Sequence, residues 1–252
     1  MYEMSTRVRY SQVDGEGYLT LPALFDLLQD VATFHSQDLG YDIRYLKEVG
    51  CGWFVTDYQL ALEKDTPYIG DHLRLQTWGY RFRGMFGMRN MLVLREDGSI
   101  YARVNSIWVY MDLRRMLPAR IPDRMIADYG LEPALDYPWP ARKIKPLEDF
   151  TECAAFTVTA LQLDSNGHMN NTHFVAAAWK QLPEGFEPGL IRVEYKKQAM
   201  LGDRLRLKMT CVPGRDGGED RIQVVMTSHQ GDVCCLLEFD RRKDEDRCNW
   251  EG

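Results

Sequence analysis

The feature that most constrains this chain is that it repeats itself. Gln12-Val13-Asp14-Gly15-Glu16-Gly17-Tyr18-Leu19 parallels Gln162-Leu163-Asp164-Ser165-Asn166-Gly167-His168-Met169 at an offset of 150 positions, with Gln, Asp and the second Gly identical. Gly70-Asp71-His72-Leu73-Arg74-Leu75 parallels Gly202-Asp203-Arg204-Leu205-Arg206-Leu207 at an offset of 132, and Asp97-Gly98 parallels Gln230-Gly231 at 133. Three anchors in the same order describe a duplicated domain. The fall in offset means the second copy has lost a segment after its helix.

Hydrophobic spacing says what each copy contains. Thr20 can cap a helix running through Leu24, Leu27, Leu28, Val31 and Phe34, and Gly40 suits its end. Strand-like runs follow at 52–62, 71–80, 88–95 and 99–111, with Asp97-Gly98 as a hairpin signal between the last two. The second copy shows a helix over 171–179, then strands at 189–195, 203–212, 221–228 and 232–239. Phe174-Val175-Ala176-Ala177-Ala178-Trp179 is apolar on several sides, which fits burial in the concavity of a sheet. One helix and an antiparallel sheet that wraps it is the hotdog pattern. The expected class is therefore α+β, a tandem (double) hotdog. Six of the 11 prolines fall between Pro118 and Pro146, which predicts a linker. The expected division is an N-terminal hotdog domain at 1–117, a proline-rich linker at 118–150, and a C-terminal hotdog domain at 151–252.

The net charge of -6 argues against nonspecific nucleic-acid binding. Met1-Tyr2-Glu3-Met4 lacks the basic-then-apolar pattern of a signal peptide, and no apolar run reaches membrane-span length, so a cytoplasmic protein with no membrane partner is expected. The six cysteines form no Cys-x-x-Cys pair, so reduced thiols are expected, with Cys234 and Cys235 in a strand. His168 and His173 are five apart, which does not stack them on one helix face, and no metal or cofactor is expected. Neither a Gly-x-Ser-x-Gly elbow nor a phosphate loop occurs.

Asp164, Asn166 and His168 alternate, and a two-residue period projects side chains to one side of an extended segment. A carboxylate or imidazole can take a proton from water, and an amide can hold the water or a thioester oxygen. The segment runs into a helix whose first N–H groups can polarise a carbonyl. The blander reading is an Asx-rich turn with Asn170 or Asn171 as N-cap, and the two are compatible. The first copy keeps Asp14 but has Glu16 for Asn166 and Tyr18 for His168, which points to a single working site.

These residues resemble a known family. Leu163-Asp164-Ser165-Asn166-Gly167-His168-Met169-Asn170-Asn171 is similar to the Asp-x-Asn-x-His-x-Asn-Asn signature of the acyl-acyl carrier protein (acyl-ACP) thioesterases of plants and bacteria, and Glu194-Tyr195-Lys196-Lys197-Gln198 to the family's downstream Glu-Tyr-basic-basic-Glu segment. Trp53-Phe54-Val55, Gly70-Asp71, Gly87-Met88-Arg89 and Ser106-Ile107-Trp108-Val109 match landmarks of the first half. The resemblance implies hydrolysis of acyl-ACP to free fatty acid and carrier, with Asp164, Asn166 and His168 as catalytic residues. It departs at Gln198 and Ala199, where the family has Glu and Cys. No thiol can act at Ala199, and Gln198 can orient a water but not serve as base. The base role then falls on Asp164 or His168. Asn170, Asn171, Lys196 and Lys197 are the candidate substrate-contacting residues, and Met85, Phe86, Met88 or the helix stripe are candidates for the acyl pocket.

The expected partner is an acyl carrier protein, which is acidic and needs a basic face. Arg114, Arg115, Arg120, Arg124, Arg142, Lys143, Lys145, Lys196 and Lys197 are candidates, although Arg114-Arg115 also reads as a solvated turn. The duplication supplies a pseudo-dimer, so a monomer or a homodimer is expected. An acyl-CoA thioesterase on the same fold and a non-catalytic acyl-carrier binding protein are the rival readings, the second kept open by Gln198.

Overall fold

A computed structural model describes residues 1–214 and 218–242. The chain separates into two compact units, Met1–Arg142 and Lys143–Gly252. The first contains β1 (Tyr2–Arg7), a 3-10 turn at Tyr10–Gln12, α1 (Leu21–Asp38), α2 (Ile43–Val49), β2 (Cys51–Leu62), β3 (His72–Arg83), β4 (Phe86–Arg95), β5 (Ile100–Asp112), β6 (Leu117–Pro118) and α3 (Asp123–Tyr129). Its antiparallel sheet has the order β1-β3-β4-β5-β2, with β6 added beside β5. The second contains β7 (Thr151–Thr157), a 3-10 turn at Ala160–Gln162, α4 (Asn171–Trp179), β8 (Pro188–Tyr195), β9 (Arg204–Pro213), β10 (Glu219–Ser228) and β11 (Val233–Arg241). Its sheet runs β7-β9-β10-β11-β8, the same order element for element. The expected α+β double hotdog is what forms.

The helices obey their sequence signals. Thr20 accepts from the Ala23 amide at the start of α1, and Leu24, Leu27, Leu28 and Val31 are buried beneath it. Gly40 (φ 86°) donates to the Gln37 carbonyl and closes the turn. In the second unit α4 has nine residues against eighteen in α1, and buries Thr172, Phe174, Val175 and Ala178. A groove of about 340 Å³ lies between α4 and β7, lined by Ala154, Phe156, His173, Ala176 and Lys180 among others. In the first unit the longer α1 instead reaches β1, where His35 stacks on Tyr2 at 5.3 Å. The lost segment is thus visible as missing helix.

Several elements were not anticipated from hydrophobic spacing, the two-residue β6 among them. β1 and β7 are short, half-exposed edge strands. α2 has seven residues, too few to show a period, although Asp42 caps it by accepting from the Tyr45 amide and Gly50 ends it at φ 70°. α3 sits inside the proline-rich stretch. Pro122 precedes its first turn, where a missing N–H removes nothing, and Ile121 and Met125 pack fully buried with Tyr41, Tyr110 and Tyr129.

Both sheets carry a row of buried polar side chains that fastens the proline-rich stretch. In the first unit Gln59, Asn105 and Asn90 are register neighbours on β2, β5 and β4. Gln59 donates to the Pro140 carbonyl at 2.8 Å, and Asn90 accepts from the Leu135 amide at 2.9 Å. In the second unit Arg192, Glu238 and Gln223 occupy the matching row on β8, β11 and β10. Arg192 Nε donates to Glu238 at 2.9 Å and Gln223 Nε2 to Glu238 at 2.6 Å, while Gln223 accepts from the Leu147 amide and donates to the Lys145 carbonyl, both at 2.9 Å. Buried backbone groups need partners, and these rows supply them to residues 132–149, which hold no helix or strand.

His35, on the last turns of α1, meets Arg89 of β4 at 3.0 Å, and Arg89 also donates to Thr77 at 2.8 Å. A guanidinium has only donors, so His35 Nδ1 accepts and the ring is neutral. Burial first, and the Arg89 charge second, push the His35 pKa down to about 3 from 6.5. The unfolded chain takes up this proton near 6.5 and the folded chain only near 3, so stability falls as pH is lowered through that window. His35→Gln is expected to flatten the urea midpoint between pH 6.5 and about 5, above the range where carboxylates titrate. An unchanged slope in that interval would contradict this account.

Cys51, Cys153, Cys211, Cys234 and Cys235 are free thiols, with Cys234 and Cys235 buried in β11. Cys248 lies outside the described residues. Among the described residues no helix is long and apolar enough to cross a membrane.

Candidate functional site

The segment from Gln162 to Asn170 is a loop built almost entirely by its own backbone. Gln162 accepts from the Thr159 amide at 2.8 Å and its carbonyl takes the Asn170 amide at 2.8 Å, closing the loop across its base. Asp164 N donates to the His168 carbonyl at 2.7 Å, and Gly167 N to the Asp164 carbonyl at 3.1 Å. Gly167 has φ 78°, which is why a glycine stands there. Asp164 Oδ1 accepts from the Asn166 amide at 2.8 Å and from the His168 amide at 3.1 Å. The carboxylate is therefore the hub of the turn, with the two other candidate residues gathered round one of its oxygens.

The first copy makes the same bonds. Gln12 accepts from the Arg9 amide at 2.9 Å, and its carbonyl takes the Thr20 amide at 2.9 Å. Asp14 Oδ1 accepts from the Glu16 amide at 3.0 Å and the Tyr18 amide at 2.9 Å, and Gly17 has φ 90°. Gln, Asp and Gly are the three identities that marked the repeat, and all three are explained as turn-builders. Both the turn reading and the site reading apply to Asp164. Asn166 and His168 are different: only their backbone atoms take part in the shared turn bonds.

A second segment braces the loop. Met169 N donates to the Ala199 carbonyl at 2.8 Å, and His168 and Met200 form a β-bridge. Gln198, one residue before Ala199, is thereby carried to the motif although it lies thirty residues away in sequence. Asp203 closes this second turn by accepting from the Met200 amide at 2.8 Å, and Gly202 N donates to the Val158 carbonyl at 2.9 Å. The first copy again matches, with Leu19 N donating to Pro67 at 2.8 Å, Tyr18 bridging Tyr68, and Asp71 accepting from the Tyr68 amide at 2.8 Å. The anchors Gly70-Asp71 and Gly202-Asp203 are the brace in each copy. Sequence spacing found the brace but not its partner, because the pairing is tertiary.

Asn170 is the N-cap of α4, accepting from the Thr172 amide at 3.2 Å. The Asn171 carbonyl accepts from the Tyr195 hydroxyl at 3.1 Å, which ties the first turn of α4 to the end of β8. That tether was not foreseen. Lys196 pairs with the buried Glu194 at 3.0 Å, and Glu194 also accepts from the Ile144 amide. Lys197 pairs with Asp232, whose hydrogen bond raises the lysine pKa. Each of the two lysines thus has a carboxylate beside it. Among the four candidate catalytic residues, Asn166 is exposed, and Asp164, His168 and Gln198 are half-buried. Asn166 is open to water, and the loop leads into the N-terminus of α4.

The first 129 residues match the model of the acyl-ACP thioesterase N-terminal domain, and residues 145–249 match that of the acyl-ACP thioesterase C-terminal domain. The chain is similar to oleoyl-acyl carrier protein thioesterase 1, chloroplastic, of Arabidopsis thaliana, with 23% identity over 224 residues, covering 80% of this chain and 61% of that protein. It is also 23% identical over 232 residues to the chloroplastic dodecanoyl-[acyl-carrier-protein] hydrolase of Umbellularia californica, covering 85% of this chain and 60% of that protein. It therefore spans about three fifths of the length of these curated relatives. In fold it is similar to the crystal structure of an acyl-ACP thioesterase from Bacteroides thetaiotaomicron, with a TM-score of 0.84 and 23% identity over 95% of this chain and 97% of that one. The 12:0-ACP thioesterase from Umbellularia californica superposes with a TM-score of 0.81 at 18% identity, covering 96% of each chain.

Proposed function

Since this chain belongs to the acyl-ACP thioesterase family, we propose that it hydrolyses the thioester of an acyl-acyl carrier protein to a free fatty acid and the carrier thiol. The observation that carries this reading is the Asp164-to-Asn170 loop, braced at Ala199 and leading into α4. The two copies share the bonds that Gln, Asp and Gly make in the turn, and the second alone adds an amide and an imidazole at two positions where the turn uses only the backbone. In this reading residues 151–252 carry the chemistry and residues 1–117 form the acyl-pocket half.

The proposed reaction is a water addition followed by loss of thiolate. Asp164 keeps Oδ1 on the two loop amides and takes the water proton at its other carboxylate oxygen. The hydroxide oxygen bonds to the carbonyl carbon, and the carbonyl π pair moves onto oxygen. Asn166 donates to that oxyanion or holds the attacking water. Collapse re-forms the carbonyl and breaks the C–S bond, and His168 relays the proton to the departing sulfur. Gln198 orients the water. Asn170 and Asn171 set the start of α4 at the substrate, and Lys196 and Lys197 flank the loop. We place the reaction in fatty acid synthesis, in the cytoplasm.

The test is a release assay on purified protein with acyl-ACPs of graded chain length and the matched acyl-CoAs. Release of free fatty acid from acyl-ACP with higher kcat/KM than from acyl-CoA is expected. Preference for acyl-CoA would turn the reading into a CoA thioesterase, and tight acyl-ACP binding without release would make the protein a carrier-binding one. Gln198→Ala is expected to lower kcat about tenfold, the loss of one positioned water contact. An unchanged kcat would remove Gln198 from the site.

A further inference from the structure

The turn between β5 and β6 holds two large apolar side chains out in water on a stiff frame. Asp112 Oδ1 accepts from the Arg114 amide at 2.9 Å and the Arg115 amide at 3.0 Å. Leu113 N donates to the Gly50 carbonyl at 2.9 Å, and Met111 and Asp112 pair with Pro118 and Leu117. Arg114 lies across Gly50, where a Cβ would come within 2.6 Å of its guanidine nitrogen, and donates to the Glu48 carbonyl at 3.4 Å. At the tip Met116 takes φ 53°, a left-handed conformation that a methionine rarely adopts. Its side chain is 52% exposed, and that of Leu117 next to it is also half exposed.

Neither feature benefits the isolated chain. Positive φ at a non-glycine residue is strained, and the two apolar side chains stay in water. The surroundings are cationic. The segment 112–124 carries four arginines and two aspartates. One aspartate is committed to the turn amides, the other pairs with Arg120 at 3.0 Å, and Arg124 pairs with Asp128 at 3.6 Å. Among the described residues no carboxylate pairs with Arg114 or Arg115. A chain with a net charge of -6 has concentrated positive charge around an apolar tip. Methionine and arginine are favoured at interface cores, and opposite charge steers an encounter.

We propose that the β5–β6 tip is the docking surface for the acidic carrier protein. Met116 and Leu117 make the apolar contact, and Arg114 and Arg115 face the carrier's carboxylates. This rests on the hydrolase reading above for the identity of the partner, but its test does not depend on turnover.

The experiment measures binding of the carrier bearing its pantetheine arm and no acyl chain, by calorimetric titration at low salt, to the parent protein, Arg115→Glu and Met116→Gly. Both variants are expected to raise the Kd about tenfold, and the parent's affinity to fall as salt is added. Hydrolysis of the neutral acyl-pantetheine thioester is expected to be unchanged in both. Met116→Gly gives the most discriminating result, because glycine relieves the left-handed strain. Its Tm should equal or exceed the parent's while carrier binding weakens, which a merely structural role would not produce. Equal carrier affinity in all three proteins would overturn the proposal. So would binding of the parent to vesicles of anionic phosphatidylglycerol in place of the carrier. Carrier binding that depends on the tip, without cleavage of acyl-ACP, would leave the docking surface standing and sink the hydrolase reading instead.

Discussion

Asp164→Asn is expected to lower kcat for acyl-ACP hydrolysis by about 10²–10⁴-fold, the usual share of a positioned proton acceptor, while leaving the fold intact. The reason for choosing asparagine lies in the two roles that one side chain holds. Asp164 Oδ1 accepts from the Asn166 and His168 amides, and an asparagine carbonyl oxygen can accept the same two bonds. The loop survives and the base is removed. Asp164→Ala removes both, so its loss of activity would be uninformative by itself. Asp14→Asn and Asp14→Ala in the first copy are the controls, because Asp14 makes the same pair of bonds beside Glu16 and Tyr18. Neither is expected to change kcat by more than about twofold, since both carboxylates support turns but the proposed mechanism takes the water proton at Asp164 alone. Near-parental hydrolysis by Asp164→Asn, with an unchanged Tm, would show that the carboxylate is a turn residue in both copies and move the base role to His168.

The largest effect on stability should come from the polar row of the second sheet. Glu238→Ala is expected to destabilise the protein by about 3–5 kcal/mol, because it leaves a buried guanidinium without its carboxylate. The Glu238 side chain is 1% exposed, and it takes bonds from Arg192 and Gln223. Gln223 in turn holds the Leu147 amide and the Lys145 carbonyl, so the damage should spread to the strap that crosses the sheet. Chemical denaturation measures it directly. Replacing the pair together, as Arg192→Met with Glu238→Leu, should restore much of the loss, since two apolar groups of similar volume need no partners. A loss below about 1 kcal/mol for the single change would mean the row is hydrated and works by another route.

Much of this was readable in advance, for identifiable reasons. The repeat was legible because Gln, Asp and Gly are fixed by turn geometry in both copies, and geometry of that kind leaves identities at constant spacing. The helices and inner strands were legible because one face of each is buried, as with Leu24, Leu28 and Val31. β1 and β7 were missed because an edge strand with one wet side and few residues carries a weak pattern. Tyr2 to Arg7 does alternate in burial, but its side chains are mostly polar. α3 was hidden by its neighbourhood: Pro118 and Pro122 drew attention to a break, while Ile121 and Met125 were already core. The alternation of Asp164, Asn166 and His168 was legible, and the structure gathers the amides of 166 and 168 round one Asp164 oxygen. The contact with Ala199 was not, since it joins segments thirty residues apart, yet the Gly202-Asp203 anchor marked the place. The carboxylate partner of Lys197 was equally out of reach, because Asp232 arrives from another strand's start, whereas Glu194 stands only two residues before Lys196.

The paired loops also bear on how such a chain can change. Folding of each loop is assigned to one set of atoms, the glutamine, the aspartate, the glycine and the backbone. In the proposed mechanism the aspartate also takes the water proton, and Asn166 and His168 add two side chains that the turn bonds do not use. Substitutions at 166 and 168 can therefore be sampled with little penalty in stability, and the first copy, with Glu16 and Tyr18, is what one such sampling looks like. A duplicated scaffold of this kind keeps a spare loop of proven shape, into which a different chemistry could be written without disturbing the first.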